Sequence, residues 1–131
     1  MRVLHVEDDE DIRAVTEIAL VQLSGFQVLS CESGQQALTQ AERFAPQLIL
    51  LDVMMPQMDG LQTLAALRQL PGLAGVPVIF MTARLQEAEQ QRYLSAGAIA
   101  VIEKPFDPLT LGTQLRELCQ TKLADSRLSD V

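Results

Sequence analysis

The chain has 131 residues, 48% of them hydrophobic, which suits one ordinary globular domain with a sizeable core. Its formal net charge is −7 and its Lys and Arg residues are scattered singly, so no patch is laid out to neutralise nucleic-acid phosphates. The apolar stretch ahead of Glu7 is too short for a signal peptide or a membrane span, and a cytoplasmic protein without membrane insertion is expected.

Short apolar runs alternate with longer amphipathic segments, five times over. The first run, 3–6, is almost continuous Val and Leu, as in strands buried on both faces of a parallel sheet. After it, Ile12, Val15, Ala19 and Leu23 fall on one helical face, with Gly25 as the stop. Ala14, Ile18 and Val21 form a second apolar strip, expected to pack on the last helix and otherwise able to dock a partner's helices. The second run, 27–31, leads to a helix that opens at a capping box, Ser33 with Gln36, and closes before Pro46.

The third run, 47–51, precedes a helix over about 61–69, stopped by Pro71 and Gly72. The fourth, 76–81, precedes a helix over about 86–96 with the poorest apolar periodicity of the five, read as weakly anchored and ending at Gly97. The fifth, 100–102, leads to a helix with Asp107 as N-cap, Pro108 at its first position, and an inner face of Leu111, Leu115 and Leu118. Gly112 inside that helix costs about 1 kcal/mol relative to Ala. The domain is expected to occupy 1–123, with 124–131 as a polar tail. Regular βα alternation implies parallel strands joined by right-handed crossovers, hence an α/β sandwich with helices on both faces. Cys31 and Cys119 lack ligand spacing and read as small buried hydrophobes; His5, inside the first strand, reads as a packed histidine with a satisfied hydrogen bond.

Ligands of open α/β sheets sit beyond the carboxyl ends of the strands. The first strand is followed by the acids from Glu7 to Asp11, the third by Asp52, the fourth by Thr82 and the fifth by Lys104. Each alone has a bland explanation: a helix start rich in acids, a loop aspartate, an N-cap, an exposed lysine. Their joint placement at successive strand ends favours chemistry. Clustered carboxylates need a cation or a shared proton, and a hard ion such as Mg²⁺ fits them. A carboxylate nucleophile can form an acyl phosphate, whose oxygens Lys104, the Thr82 hydroxyl and the metal would hold.

The stretches Val6-Glu7-Asp8-Asp9, Asp52 to Gly60 (DVMMPQMDG), Met81-Thr82-Ala83 and Lys104-Pro105-Phe106 resemble the receiver domain of two-component response regulators, over the chain up to about Lys122. The resemblance implies a flavodoxin-like five-stranded parallel sheet, strand order 2-1-3-4-5, in a stand-alone response regulator. It also implies Asp52 as phosphoacceptor, and Asp8, Asp52 and the Met54 carbonyl as ligands of Mg²⁺ (or Mn²⁺), with Glu7 acting through water. Thr82 becomes the switch hydroxyl and Lys104 the phosphoryl-binding lysine, before a cis bond to Pro105. Gly60 is expected to supply a backbone turn ahead of the third helix. The implied partners are a histidine kinase or histidine phosphotransfer protein and a separate downstream target, reached through the surface of the fourth helix, fifth strand and fifth helix. The chain is expected to be a monomer or a weak phosphorylation-linked dimer. One position departs from the family: its switch aromatic is Val101 here, so the output coupling is expected to differ. Arg84, two residues past Thr82, could reach the phosphoryl group or remain solvated.

Three rival functions fare worse. An aspartyl-phosphate hydrolase would carry a second Asp where Met54 stands, so turnover of external substrates is not expected. A nucleotide- or flavin-binding domain would need a glycine-rich loop after the first strand, where five acids stand instead. An interaction module that is never phosphorylated would have no use for Asp8, Asp52, Thr82 and Lys104 together.

Overall fold

The structure, a computed structural model, describes residues 1–129, with side chains described through residue 121. Five parallel strands, β1 (Arg2–Val6), β2 (Gln27–Cys31), β3 (Leu48–Asp52), β4 (Val78–Thr82) and β5 (Ala100–Glu103), form one sheet in the order β2-β1-β3-β4-β5. The helices are α1 (Glu10–Glu17), continued by a π-helical segment Ile18–Gln22, then α2 (Gly34–Phe44), α3 (Gly60–Leu67), α4 (Glu87–Ser95) and α5 (Leu111–Ser129). This is the expected flavodoxin-like α/β fold. The tail placed at 124–131 begins inside α5, and residues 130 and 131 lie outside the described residues.

Alternation along the strands builds two cores. Leu4, Val6, Ile49, Leu51 and Phe80 face α2, α3 and α4, whereas Val3, Leu48, Leu50, Ile79 and Met81 face α1 and α5. Strands β3 and β4 are buried at every position, as their continuous apolar runs require. The inner face of α5 is as read, with Leu111 and Leu115 fully buried. Gly112 has a steric reason: a Cβ there would stand 1.8 Å from Ser24 Oγ at the end of the π-helical segment. The Asp107 cap acts one turn early, its carboxylate accepting from Leu109 N at 2.9 Å before α5 proper begins at Leu111.

The buried face of α1 differs from the expectation. Thr16, Ala19 and Leu20 are buried, while Val15 and Leu23 are exposed. For Leu23 the π-helical segment is the cause: Leu23 N donates to Ile18 O at 3.1 Å, five residues back, and the wider turn carries Leu23 off the inner face. Ala14, Ile18 and Val21 are all exposed, although the π-helical segment that holds Ile18 and Val21 lies against α5. At α2, Ser33 Oγ accepts from Gln36 N as read, but Gln36 Oε1 returns to Glu32 N, not to Ser33 N. A complete capping box occurs instead at Asp59 and Gln62, opening α3.

His5 is wholly buried, yet among the described residues neither ring nitrogen has a partner, contrary to the expected satisfied hydrogen bond. Its neighbour across β1 and β2 is Ser30, whose hydroxyl is also unpaired. Burial, with Lys104 and Arg13 adding, pushes the His5 imidazole down to about 3 from 6.5. The fold therefore favours neutral His5: its contribution is complete above pH 6.5 and is lost as pH falls toward 3. Between pH 7 and pH 5 the wild type should lose about 2 kcal/mol more stability than His5→Leu, measured by urea unfolding at each pH. Equal losses would show that His5 is not the group that charges.

Candidate functional site

Four strand ends converge on one acidic pocket. Parallel register aligns β1, β3, β4 and β5, so Glu7, Asp52, Thr82 and Lys104 emerge side by side. Asp52 is the last residue of β3 and Glu7 directly follows β1; they are 2% and 1% exposed. Asp8, one residue on, is exposed. Carboxylate oxygens of Glu7, Asp8 and Asp52 lie within 4.8 Å of one another. Lys104, after β5 and before a cis bond to Pro105, places Nζ 3.0 Å from Asp52 Oδ1 and 3.1 Å from Glu7 Oε2.

The charges are under tension. Burial, then repulsion from Asp52, pushes the Glu7 carboxyl up to about 7 against the pull of Lys104. Burial likewise raises Asp52, and its bond to Lys104 only partly offsets this. Burial would lower the Lys104 ammonium, but its bonds to Asp52 and Glu7 carry it above its usual value. The pocket therefore retains affinity for a further cation or a proton. Two buried carboxylates beside an exposed one, all oxygen donors, fit a hard ion such as Mg²⁺. The Met54 carbonyl accepts no hydrogen bond among the described residues, while the Met54 side chain is 75% exposed.

The turn carrying these acids is pinned by several contacts that the sequence did not announce. Asp9 caps α1 through Asp11 N and Ile12 N, and its own N–H donates to Glu7 Oε1 at 3.2 Å. Arg13 donates to the carbonyls of Glu7 and Asp8. On the other side, Gly60 does not supply a turn conformation; the positive φ belongs to Gln57 (φ 68°). Gly60 is needed for space, since a Cβ would stand 2.5 Å from the Asp52 carbonyl oxygen and 2.9 Å from Val53 Cα.

Thr82 lies at the same edge, 3% exposed, but its hydroxyl is engaged in its own loop. It donates to Arg84 O at 3.0 Å and accepts from Arg84 N at 3.2 Å, leaving the Arg84 side chain exposed. Val101 stays apart from the acids, packed into the core under α2, α3 and α4 and paired with Phe80 across the sheet. Above it, the buried Tyr93 of α4 meets Phe80 with ring centroids 5.4 Å apart. Cys31 is buried and Cys119 half-buried, both free thiols raised by burial.

Sheet order and strand-end chemistry together define a flavodoxin-like α/β domain whose functional residues lie beyond the carboxyl ends of its strands. Residues 3–116 match the response regulator receiver domain, and the chain belongs to that family. PhoP of Bacillus subtilis (strain 168), the alkaline phosphatase synthesis transcriptional regulatory protein, is 32% identical over 117 residues, covering 89% of this chain and 48% of PhoP. An uncharacterized 14.6 kDa protein of Leptolyngbya boryana is 34% identical over 119 residues, covering 91% of this chain and 90% of that protein. The solved structure of the Vibrio cholerae chemotaxis protein CheY4 has a TM-score of 0.83 at 30% identity, covering 89% of this chain and 97% of CheY4. The chain thus spans about half of PhoP and most of the other two. Receiver domains work with Mg²⁺ and with histidine kinases or phosphotransfer proteins.

Gly60→Ala should destabilise the protein by about 1–3 kcal/mol in urea unfolding, because the added methyl meets backbone, which cannot swing aside. An unchanged midpoint would contradict the contact with Asp52. With Glu7 at about 7, proton and metal compete. Mg²⁺ affinity should therefore rise about tenfold per pH unit up to pH 7 and level off above it, as read by calorimetric titration. In Glu7→Gln that slope should vanish.

Proposed function

We propose that this receiver domain accepts a phosphoryl group on Asp52 from a phosphohistidine donor, a histidine kinase or a histidine phosphotransfer protein, and later hydrolyses it. The observation that carries this reading is Asp52 itself: a buried carboxylate at a strand end, bridged to Glu7 by Lys104, with Asp8 beside it. An Asp52 carboxylate oxygen forms a bond to phosphorus as the phosphorus–nitrogen bond to the donor imidazole breaks and the imidazole leaves. Water later attacks phosphorus, returning the carboxylate and inorganic phosphate. Bound Mg²⁺ would be held by Asp8, Asp52 and the Met54 carbonyl, with Glu7 through water, and would neutralise charge on the phosphoryl oxygens. Lys104 exchanges its bond to Asp52 for one to a phosphoryl oxygen.

Thr82 carries the signal. Its hydroxyl leaves the Arg84 main chain for the phosphoryl group, and the loop ahead of α4 follows. Among residues of α4 only Tyr93 is buried, which suits an element that shifts and remodels the α4–β5–α5 surface for a downstream protein. Val101 offers no ring to swing, so the α4 anchor of Tyr93 on Phe80 is the larger movable contact. Donor helices dock on the exposed strip Ala14, Ile18 and Val21, which runs from α1 into the π-helical segment. The protein works in the cytoplasm as a monomer or weak phosphorylation-linked dimer, without direct nucleic-acid binding or membrane insertion; no described helix is long and apolar enough to cross a membrane. It turns over no external substrate, since Met54 stands where a hydrolase would place its acid.

Intact mass after incubation with acetyl phosphate should show a gain of one phosphoryl group that requires Mg²⁺ and disappears in Asp52→Ala. No gain with either acetyl phosphate or a phosphorylated kinase, under conditions that modify a control receiver, would overturn the assignment.

A further inference from the structure

Arg13 directs one guanidinium nitrogen at two carbonyl oxygens, with Nη1 2.8 Å from Glu7 O and 3.0 Å from Asp8 O. Nη1 carries two N–H groups, one for each acceptor. The two carbonyls belong to the planar peptide units on either side of the Asp8 Cα, so holding both fixes φ and ψ of Asp8 and the direction of its Cα–Cβ bond. Asp8 has no other restraint on its side chain: it is exposed, and among the described residues its carboxylate enters no hydrogen bond or ion pair. Glu7 differs, since Asp9 N holds one of its oxygens and Lys104 the other. Arg13 likewise forms no ion pair among the described residues, so its polar contacts are spent on this turn.

We propose that Arg13 is a positioning residue for the divalent cation, clamping the main chain so that the otherwise unsupported Asp8 carboxylate stays beside those of Glu7 and Asp52. The inference rests on the Mg²⁺ reading above. A rival physical effect has the opposite sign. Arg13 is a cation near a cation site, so on Coulomb grounds alone its removal should tighten Mg²⁺. That effect is blunted by salt and solvent, whereas groups that orient metal ligands are worth about 10–100-fold in metal affinity. Positioning should therefore win.

The test is calorimetric Mg²⁺ titration of the wild type, Arg13→Met, Arg13→Gln and Asp8→Asn, beside metal-free urea unfolding of each. Arg13→Met should bind Mg²⁺ about tenfold more weakly. Arg13→Gln, which has lost the charge but keeps an amide N–H donor, should recover part of that loss. Near-wild-type modification by acetyl phosphate should return in both Arg13 variants at saturating Mg²⁺. Arg13→Met binding Mg²⁺ as tightly as the wild type or more tightly, or Arg13→Gln binding no better than Arg13→Met, would overturn the proposal while leaving the metal reading intact. If Arg13→Met fails to fold, Arg13→Gln against the wild type decides: equal affinity overturns the clamp and weaker affinity supports it. A wild type that binds no Mg²⁺, like Asp8→Asn, would overturn both.

Discussion

A lysine ammonium held between two buried carboxylates is the constraint on which the rest of this structure depends. Parallel strands must end together, and the sequence puts an acid at the end of two adjacent ones, so Glu7 and Asp52 are forced into proximity with almost no water. Left unpaired, such a charge would cost several kcal/mol. Lys104 relieves this from β5, two strands away from Asp52, and thereby ties the edge of the sheet to its centre. It neutralises one charge among three acids and leaves an imbalance that suits a further cation.

Around that bridge the supports divide by kind. Glu7 is held through its side chain, Asp52 by its strand and by Gly60 packed on its carbonyl, and Asp8 through its backbone alone. Thr82 is latched to Arg84 by two ordinary hydrogen bonds, each worth about 1 kcal/mol. A charge-assisted bond to a phosphoryl oxygen is roughly twice as strong, so on the proposed function the latch is weak enough to open and strong enough to define a resting state.

The sheet was legible because continuous Val/Ile/Leu runs have few alternatives, and the order of strand ends followed from the resemblance carried by Asp52 to Gly60 and Lys104-Pro105-Phe106. Legibility failed where backbone geometry departed from a regular period. The π-helical segment breaks the 3.6-residue rhythm that would keep Leu23 on the inner face. No pattern announces an arginine that bonds carbonyls, because the acceptor is main chain and any residue supplies it. The role of Gly60 was hidden for a related reason: a glycine required for close approach and one required for a turn look identical in sequence. His5 was rightly placed in the core, but the missing partner is a three-dimensional fact, set by which neighbours happen to be Ser30 and Leu50.

The exposed apolar strip on α1 has a colloidal consequence. Val15, Ile18, Val21 and Leu23 are four exposed apolar side chains within nine residues of a small protein, a surface that invites sticking between copies. The net charge of −7 opposes this, because two copies approaching along α1 also bring together Glu10, Asp11 and Glu17. On the proposed docking of donor helices along this strip, the acids that keep like from like would favour a partner whose own flanks are basic.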